Sequence, residues 1–249
     1  MRVLFLILGL ISASIAVANE TVVSELSQDG VSITANFNGS EIFIFGAIKR
    51  DSPVNPSAGN LDIIIEVSGP PVAVLVRKKA RRFGIWVNTD SVTVERAPSF
   101  YTIAATGALE NLVSNSERSL RNLGLEYAVR VADEKDEAFR QAVIRIHQNG
   151  GTYARETTPV TLTEETLFTT KVALPSNIVE GDYTAKIMLV RDRRVISTSR
   201  SIITVRKAGL EQWIYELAHE KPLIYGLLSL AVALLAGWGA SEIFRLIRK

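Results

Sequence analysis

The chain has 249 residues, with 28 Lys and Arg against 26 Asp and Glu, a formal net charge of +2, 47% hydrophobic residues and no cysteine. Without thiols there can be no disulfide, thiolate metal site, thiol nucleophile or lipid-modified cysteine. So even a charge balance also lacks the broad cationic footprint of a nucleic-acid binder.

Met1-Arg2 precedes an apolar run from Val3 to Ile11 and then small residues up to Ala18. This is the pattern of a secretory signal peptide, residues 1–18, with Ala16-Val17-Ala18 as the cleavage site. The mature chain is expected to begin near Asn19. The exported remainder is long enough to bury its own core without a covalent staple.

Residues 19–106 read as a first β-sandwich region. "VSITANF" (31–37) and "EIFIFGAI" (41–48) flank Asn38-Gly39, a strong tight-hairpin signal. "LDIIIEV" (61–67), "VAVLV" (72–76), "FGIWVN" (83–88), "SVTVE" (91–95) and "SFYTIAA" (99–105) follow at the spacing of an immunoglobulin-like sandwich. If 72–76 pairs with 83–88, Lys79 to Arg82 form the loop between them. Arg77, Lys78, Lys79, Arg81 and Arg82 then crowd at one tip. Three readings suit such a tip: a solvated loop that discourages edge pairing, a docking surface for an acidic partner or anion, or a contact with anionic headgroups at about 1 kcal/mol per cation. Phe83, Ile85 and Val87 are expected on one side and Trp86 on the other, with Trp86 read as core before ligand platform.

The period changes in the helical segment 107–150. One or two short helices are expected between Gly107 and Leu123. From Asp133 a longer helix places Phe139, Ala142, Val143 and Ile146 on one apolar face, with acids at its start and Asn149-Gly150 as its stop. Strands resume in a second β region, 151–208, with Glu164-Glu165 and Asp192-Arg193 as turns. The two β regions form either two small sandwiches joined by helices or one sandwich completed around a helical insertion. The sequence slightly favours two modules. The fold class is therefore mainly β, with immunoglobulin-like sandwich modules, a helical insertion and one C-terminal transmembrane helix.

Residues 209–221 read as a juxtamembrane helix bearing Trp213 and Tyr215. Pro222 to Ser241 carries no charge and, at about 1.5 Å per residue, spans about 30 Å, the thickness of a hydrocarbon core. The membrane helix is taken as 222–244 and the tail as 245–249, whose Arg245, Arg248 and Lys249 face the cytoplasm by the positive-inside rule. That orientation puts the bulk of the chain in the periplasm of a bacterium, anchored in its inner membrane. Setting aside Arg2, the tail cations and Glu242 leaves 24 cations and 25 anions, a net charge of −1 for the exported part. The basic tip is thus local. Ser229, Ala233, Gly237 and Ser241 recur every four residues in the span and make a smooth stripe suited to close helix packing in lipid.

No sequence motif of a hydrolase elbow, zinc protease, phosphate loop or dinucleotide fold occurs. The two histidines, His147 and His219, lie far apart in sequence, and the acids Asp133, Glu134, Asp136 and Glu137 suit a helix N-terminus. No catalytic residue, metal ligand or cofactor is expected.

"GPPVAVLVRKKARRFGIWVN" (69–88), "APSFYTIAAT" (97–106), "FGAI" (45–48) and "FRQAVIR" (139–145), with the C-terminal span, resemble a family of single-span transmembrane proteins of alphaproteobacteria whose function is not established. Where that family tends to carry a basic residue and a proline before a leucine, this chain reads Thr106-Gly107-Ala108-Leu109. Members are often encoded beside permeases resembling sulfite or organosulfonate exporters, so the resemblance implies an accessory subunit. The expected function is that of a non-enzymatic, inner-membrane-anchored periplasmic protein that binds another envelope protein, such as a permease. A stand-alone anion- or glycan-binding module using Arg77, Arg81, Arg82 and Trp86 is the alternative, and a hydrolase with an unidentified site is third.

Overall fold

The run Leu61–Ser68 (β4) sets the layering of the molecule. Its successive side chains leave opposite faces. Ile63, Ile65 and Val67 enter one apolar cluster while Ile64 enters another, so the strand needs cover on both sides. The computed structural model describes residues 20–28, 30–34, 37–51, 59–131, 136–207 and 210–247. The expected signal peptide, Asp133, Glu134, Arg248 and Lys249 lie outside the described residues.

Cover on one side comes from a four-stranded sheet. It is built from Glu20–Leu26 (β1), Ser40–Arg50 (β3), Leu167–Leu174 (β10) and Thr161–Thr163 (β9), in the order β1-β3-β10-β9. β10 alternates strictly, with Phe168, Thr170, Val172 and Leu174 buried and the residues between them exposed. Its inward side chains meet Ile42 and Ile44 of β3 and Ile63 and Ile65 of β4. Cutting one such isoleucine to alanine is worth about 2–5 kcal/mol.

β4 itself lies inside a six-stranded sheet with Gly30–Ile33 (β2), Tyr101–Ala105 (β7), Thr158–Pro159 (β8), Gly181–Arg191 (β11) and Arg194–Lys207 (β12). The order is β2-β12-β11-β4-β7-β8. Early and late strands therefore interleave in both sheets: β3 pairs with β10, and β4 with β11. Of the two arrangements open to the sequence, this is one composite sandwich around a helical insertion, and the preference for two modules is corrected. The physical reason is core closure, since the apolar faces of the early strands are covered by those of the late ones. At one end Glu20 accepts from Arg50 Nε at 2.9 Å and from Arg191 of the other sheet at 2.9 Å, joining the two layers with one buried carboxylate.

A second correction concerns Asn38-Gly39. β2 pairs in parallel with β12 while β3 pairs with β1, so this dipeptide passes the chain from one sheet to the other. Gly39 adopts φ 107°, and a Cβ there would lie 2.7 Å from the Leu174 carbonyl oxygen. A turn-forming dipeptide fixes a change of direction and leaves open which strand is met next.

The other face of β4 is covered by helices. Leu109–Leu112 (α1), Asn115–Arg121 (α2), Leu125–Ala128 (α3) and Glu137–Asn149 (α4) fill the insertion. Leu109, Leu112, Leu123, Val129, Val143 and Ile144 pack on Ile64, Ile103, Met188 and Val190. α2 begins with a Ser114 cap, whose Oγ accepts the Glu117 N–H at 3.3 Å, and ends at Asn122 in the left-handed conformation. The face of α4 is rotated from the expected one: Ile144 is buried and Ile146 exposed. Two polar residues explain the rotation, since Arg140 donates to the Glu126 carbonyl at 3.0 Å and His147 stacks on Tyr153 at 4.5 Å. Asp136 makes no side-chain cap, and it is Gly151 that takes a positive φ, 75°, after the helix.

Leu210–Glu220 (α5) and Pro222–Ile247 (α6) complete the chain. Residues 222–240 of α6 are long and apolar enough to cross a membrane, and none of these residues is buried within the molecule. Trp213 and Tyr215 of α5 are exposed, as the interface reading requires.

Candidate interaction surfaces

Pro71–Arg82 (β5) and Ile85–Pro98 (β6) form a two-stranded sheet of their own, a long arm. Its base belongs to the helical layer, where Val76, Val94 and Ala97 are buried. Beyond Arg77 the burial ends. β5 continues as strand through Arg82, and the turn is Phe83-Gly84, with φ 51° and 85°. The expected loop at Lys79 to Arg82 is thus corrected to ladder: Lys79 pairs with Asn88, Arg81 with Trp86 and Arg82 with Ile85. Two consecutive positive φ values make the two-residue turn whose twist suits a hairpin. The turns at Glu164-Glu165 and Asp192-Arg193 have the same signature, in agreement with expectation.

Direct partners in a ladder share a face. Arg77, Lys79, Arg81 and Trp86 therefore lie on one side of the arm, and Lys78 and Arg82 with Ile85 on the other. Trp86 is 69% exposed, which corrects its reading as core, and Ile85 is 64% exposed. Phe83 projects fully from the turn. The reason is the lack of any third element, because no helix or strand covers the distal half of the arm among the described residues. All five expected cations are exposed.

Ser229, Ala233, Gly237 and Ser241 all fall on α6, and their spacing draws one slowly winding stripe. Ser229, Ala233 and Gly237 face open space, and nothing lies within 4 Å of a Cβ built on Gly237.

Sequence reasoning missed a third feature, a cleft of about 390 Å³ on the outer face of the six-stranded sheet. Its floor holds Glu66 of β4 and Lys186 of β11, and its walls are the α2–α3 segment and the base of the arm. Glu66 is 4% exposed. Its carboxylate pairs with Lys186 and accepts the Tyr101 hydroxyl at 2.8 Å, while that hydroxyl accepts the Gly124 N–H at 2.8 Å. Burial first, then the charge and hydrogen bond of Glu66, hold the Tyr101 pKa well above that of an ordinary tyrosine. Tyr101 therefore stays a donor. Arg96, Arg121, Arg130 and Arg200 line the same space. The signal available in the sequence was Glu66 itself, an acid set between the apolar residues Ile63–Ile65 and Val67 of β4.

His147 and His219 lie on α4 and α5, each beside its own tyrosine: His147 stacks on Tyr153, and His219 on Tyr215 at 4.0 Å. Among the described residues no three carboxylate or imidazole side chains converge as a metal site.

Residues 21–246 match the family described as "Putative transmembrane protein (Alph_Pro_TM)". A single apolar C-terminal helix attached to a β-rich body is the class of molecule seen here. The chain belongs to that family. No curated protein matches it.

Proposed function

We propose that the chain is a non-enzymatic accessory protein of an envelope complex, held in the bacterial inner membrane by α6 with its sandwich in the periplasm. It engages another membrane protein, such as a permease, through the arm tip and the small-residue stripe. The observation that carries this reading is Phe83. It is fully exposed and holds a left-handed backbone that disfavours a bulky residue by about 1 kcal/mol. A merely solvated tip would be served better by asparagine or glycine. Arginine and tryptophan beside it form the composition that dominates protein–protein binding energy.

The sandwich is read as immunoglobulin-like. The order β1-β3-β10-β9 opposite β12-β11-β4 supports matching them to strands A-B-E-D and G-F-C of that fold. Near the start of β11, the Tyr183 hydroxyl donates to the Val179 carbonyl at 2.8 Å, a bond of the tyrosine-corner kind.

The test is co-purification of the full chain from membranes. Reversing Lys78, Lys79, Arg81 and Arg82 to glutamate and replacing Ala233 and Gly237 by leucine should remove a specific membrane partner while leaving the sandwich folded. A partner set unchanged by all six substitutions would overturn the reading.

A further inference from the structure

The cleft over Glu66 gathers cations at a cost to the fold. Arg96 and Arg130 face each other across an isolated antiparallel bridge, and Lys186 and Arg200 are direct partners in the β11–β12 ladder. Like charges placed opposite one another destabilise a sheet. Internal compensation is incomplete. Glu66 answers Lys186, Glu117 answers Arg121 at 2.9 Å, and among the described residues the Arg130 side chain meets the neutral Asn122 amide oxygen at 2.6 Å and no acid. The one other acid in the lining, Asp182, is taken by Arg206 at 3.2 Å, from outside the cleft. Among the described residues the side chains of Arg96 and Arg200 have no hydrogen bond or ion pair.

We propose that this cleft binds a small organic dianion, one oxyanion group held by Arg96 and Arg130 on the arm-and-helix wall and the other by Arg200 on the sheet. Guanidinium groups suit oxyanions because their forked donors match two oxygens at once. The volume falls within the roughly 300–1,000 Å³ of small-molecule sites. Pro71, Pro98 and Tyr127 supply apolar wall for the body between the charged ends. Glu66, neutralised by Lys186 and turned toward Tyr101, keeps the floor from repelling the ligand. The site is separate from the arm tip and does not depend on the partner reading.

The experiment is titration calorimetry on the full-length chain in detergent micelles at fixed ionic strength. The probes are malonate, succinate, glutarate and phthalate against acetate and benzoate. At least one dianion should bind about tenfold or more tightly than its monoanion, the factor expected of one added charge-assisted contact. Arg96→Ala and Arg200→Ala, both at exposed positions and checked by circular dichroism, should each lower that affinity about tenfold. Reversing the charges of the arm tip should leave it unchanged. The proposal is overturned if no dianion exceeds its monoanion, if binding survives both arginine substitutions, or if the tip substitutions abolish it.

Discussion

The molecule concentrates cations twice, and by opposite means. At the arm tip, Arg77, Lys78, Lys79, Arg81 and Arg82 are neighbours in sequence and stand in open solvent. In the cleft, Arg96, Arg121, Arg130, Lys186 and Arg200 come from the arm, the end of α2, the bridge residue after α3 and two strands. Of the residues paired directly with the tip cations, one is an acid, Asp90 opposite Lys78. Those of the cleft are partly compensated and tied to a buried network. An exposed cluster costs the fold little and is free to meet a partner, whereas an enclosed one must be balanced by groups that are themselves structural.

The largest effect that would sharpen this contrast lies at Glu66. Glu66→Ala leaves Lys186 and the Tyr101 hydroxyl without their partner in a largely buried place, and should cost about 3 kcal/mol. Asp90→Ala at the tip should stay within about 0.5 kcal/mol. Urea unfolding of the two variants measures both, and equal losses would erase the distinction. Next comes Tyr101→Phe, which takes a donor from Glu66 and an acceptor from the Gly124 N–H at once. A loss of about 1–3 kcal/mol is expected by the same assay.

A smaller effect is set by pH at the edge of the helical layer. Burial lowers the His147 pKa below the ordinary histidine value of 6.5. The unfolded chain therefore takes up that proton first, so the contribution of His147 is complete above about pH 6.5 and is lost as pH falls through the interval beneath it. Thermal unfolding of the native chain and His147→Gln, compared between pH 7.5 and 5.5, should show the steeper decline in the native chain. The smallest change in stability is expected from the tip. Reversing Lys78, Lys79, Arg81 and Arg82 exchanges one solvent-exposed cluster of like charges for another, and each substitution should move stability by less than about 0.5 kcal/mol. A large loss of fold there would make the tip structural and break the comparison.

The same contrast explains what could be read in the sequence. The tip was legible because its residues are contiguous, and α6 because twenty uncharged residues have few other uses. Its turn was misplaced because lysine and arginine carry weak strand preference, while the ladder to Trp86 and Ile85 carries the strand on to Arg82. Trp86 reads as core on propensity alone, which carries no information on cover, and among the described residues no layer covers the distal arm. Asn38-Gly39 announced a turn, but long-range pairing of β2 with β12 decided where the chain went. Of the cleft only Glu66 left a signal in the sequence, and its cations left none, for Lys186 and Arg200 become neighbours only through the β11–β12 register, and Arg96 and Arg130 only through a single bridge.

The most direct measurement is photo-crosslinking in intact cells from a photoreactive residue placed at Phe83. The account predicts a discrete adduct with one membrane protein, lost when the four tip cations are reversed in a chain that still folds and still reaches the membrane. An absent adduct, or one that persists after charge reversal, would contradict it.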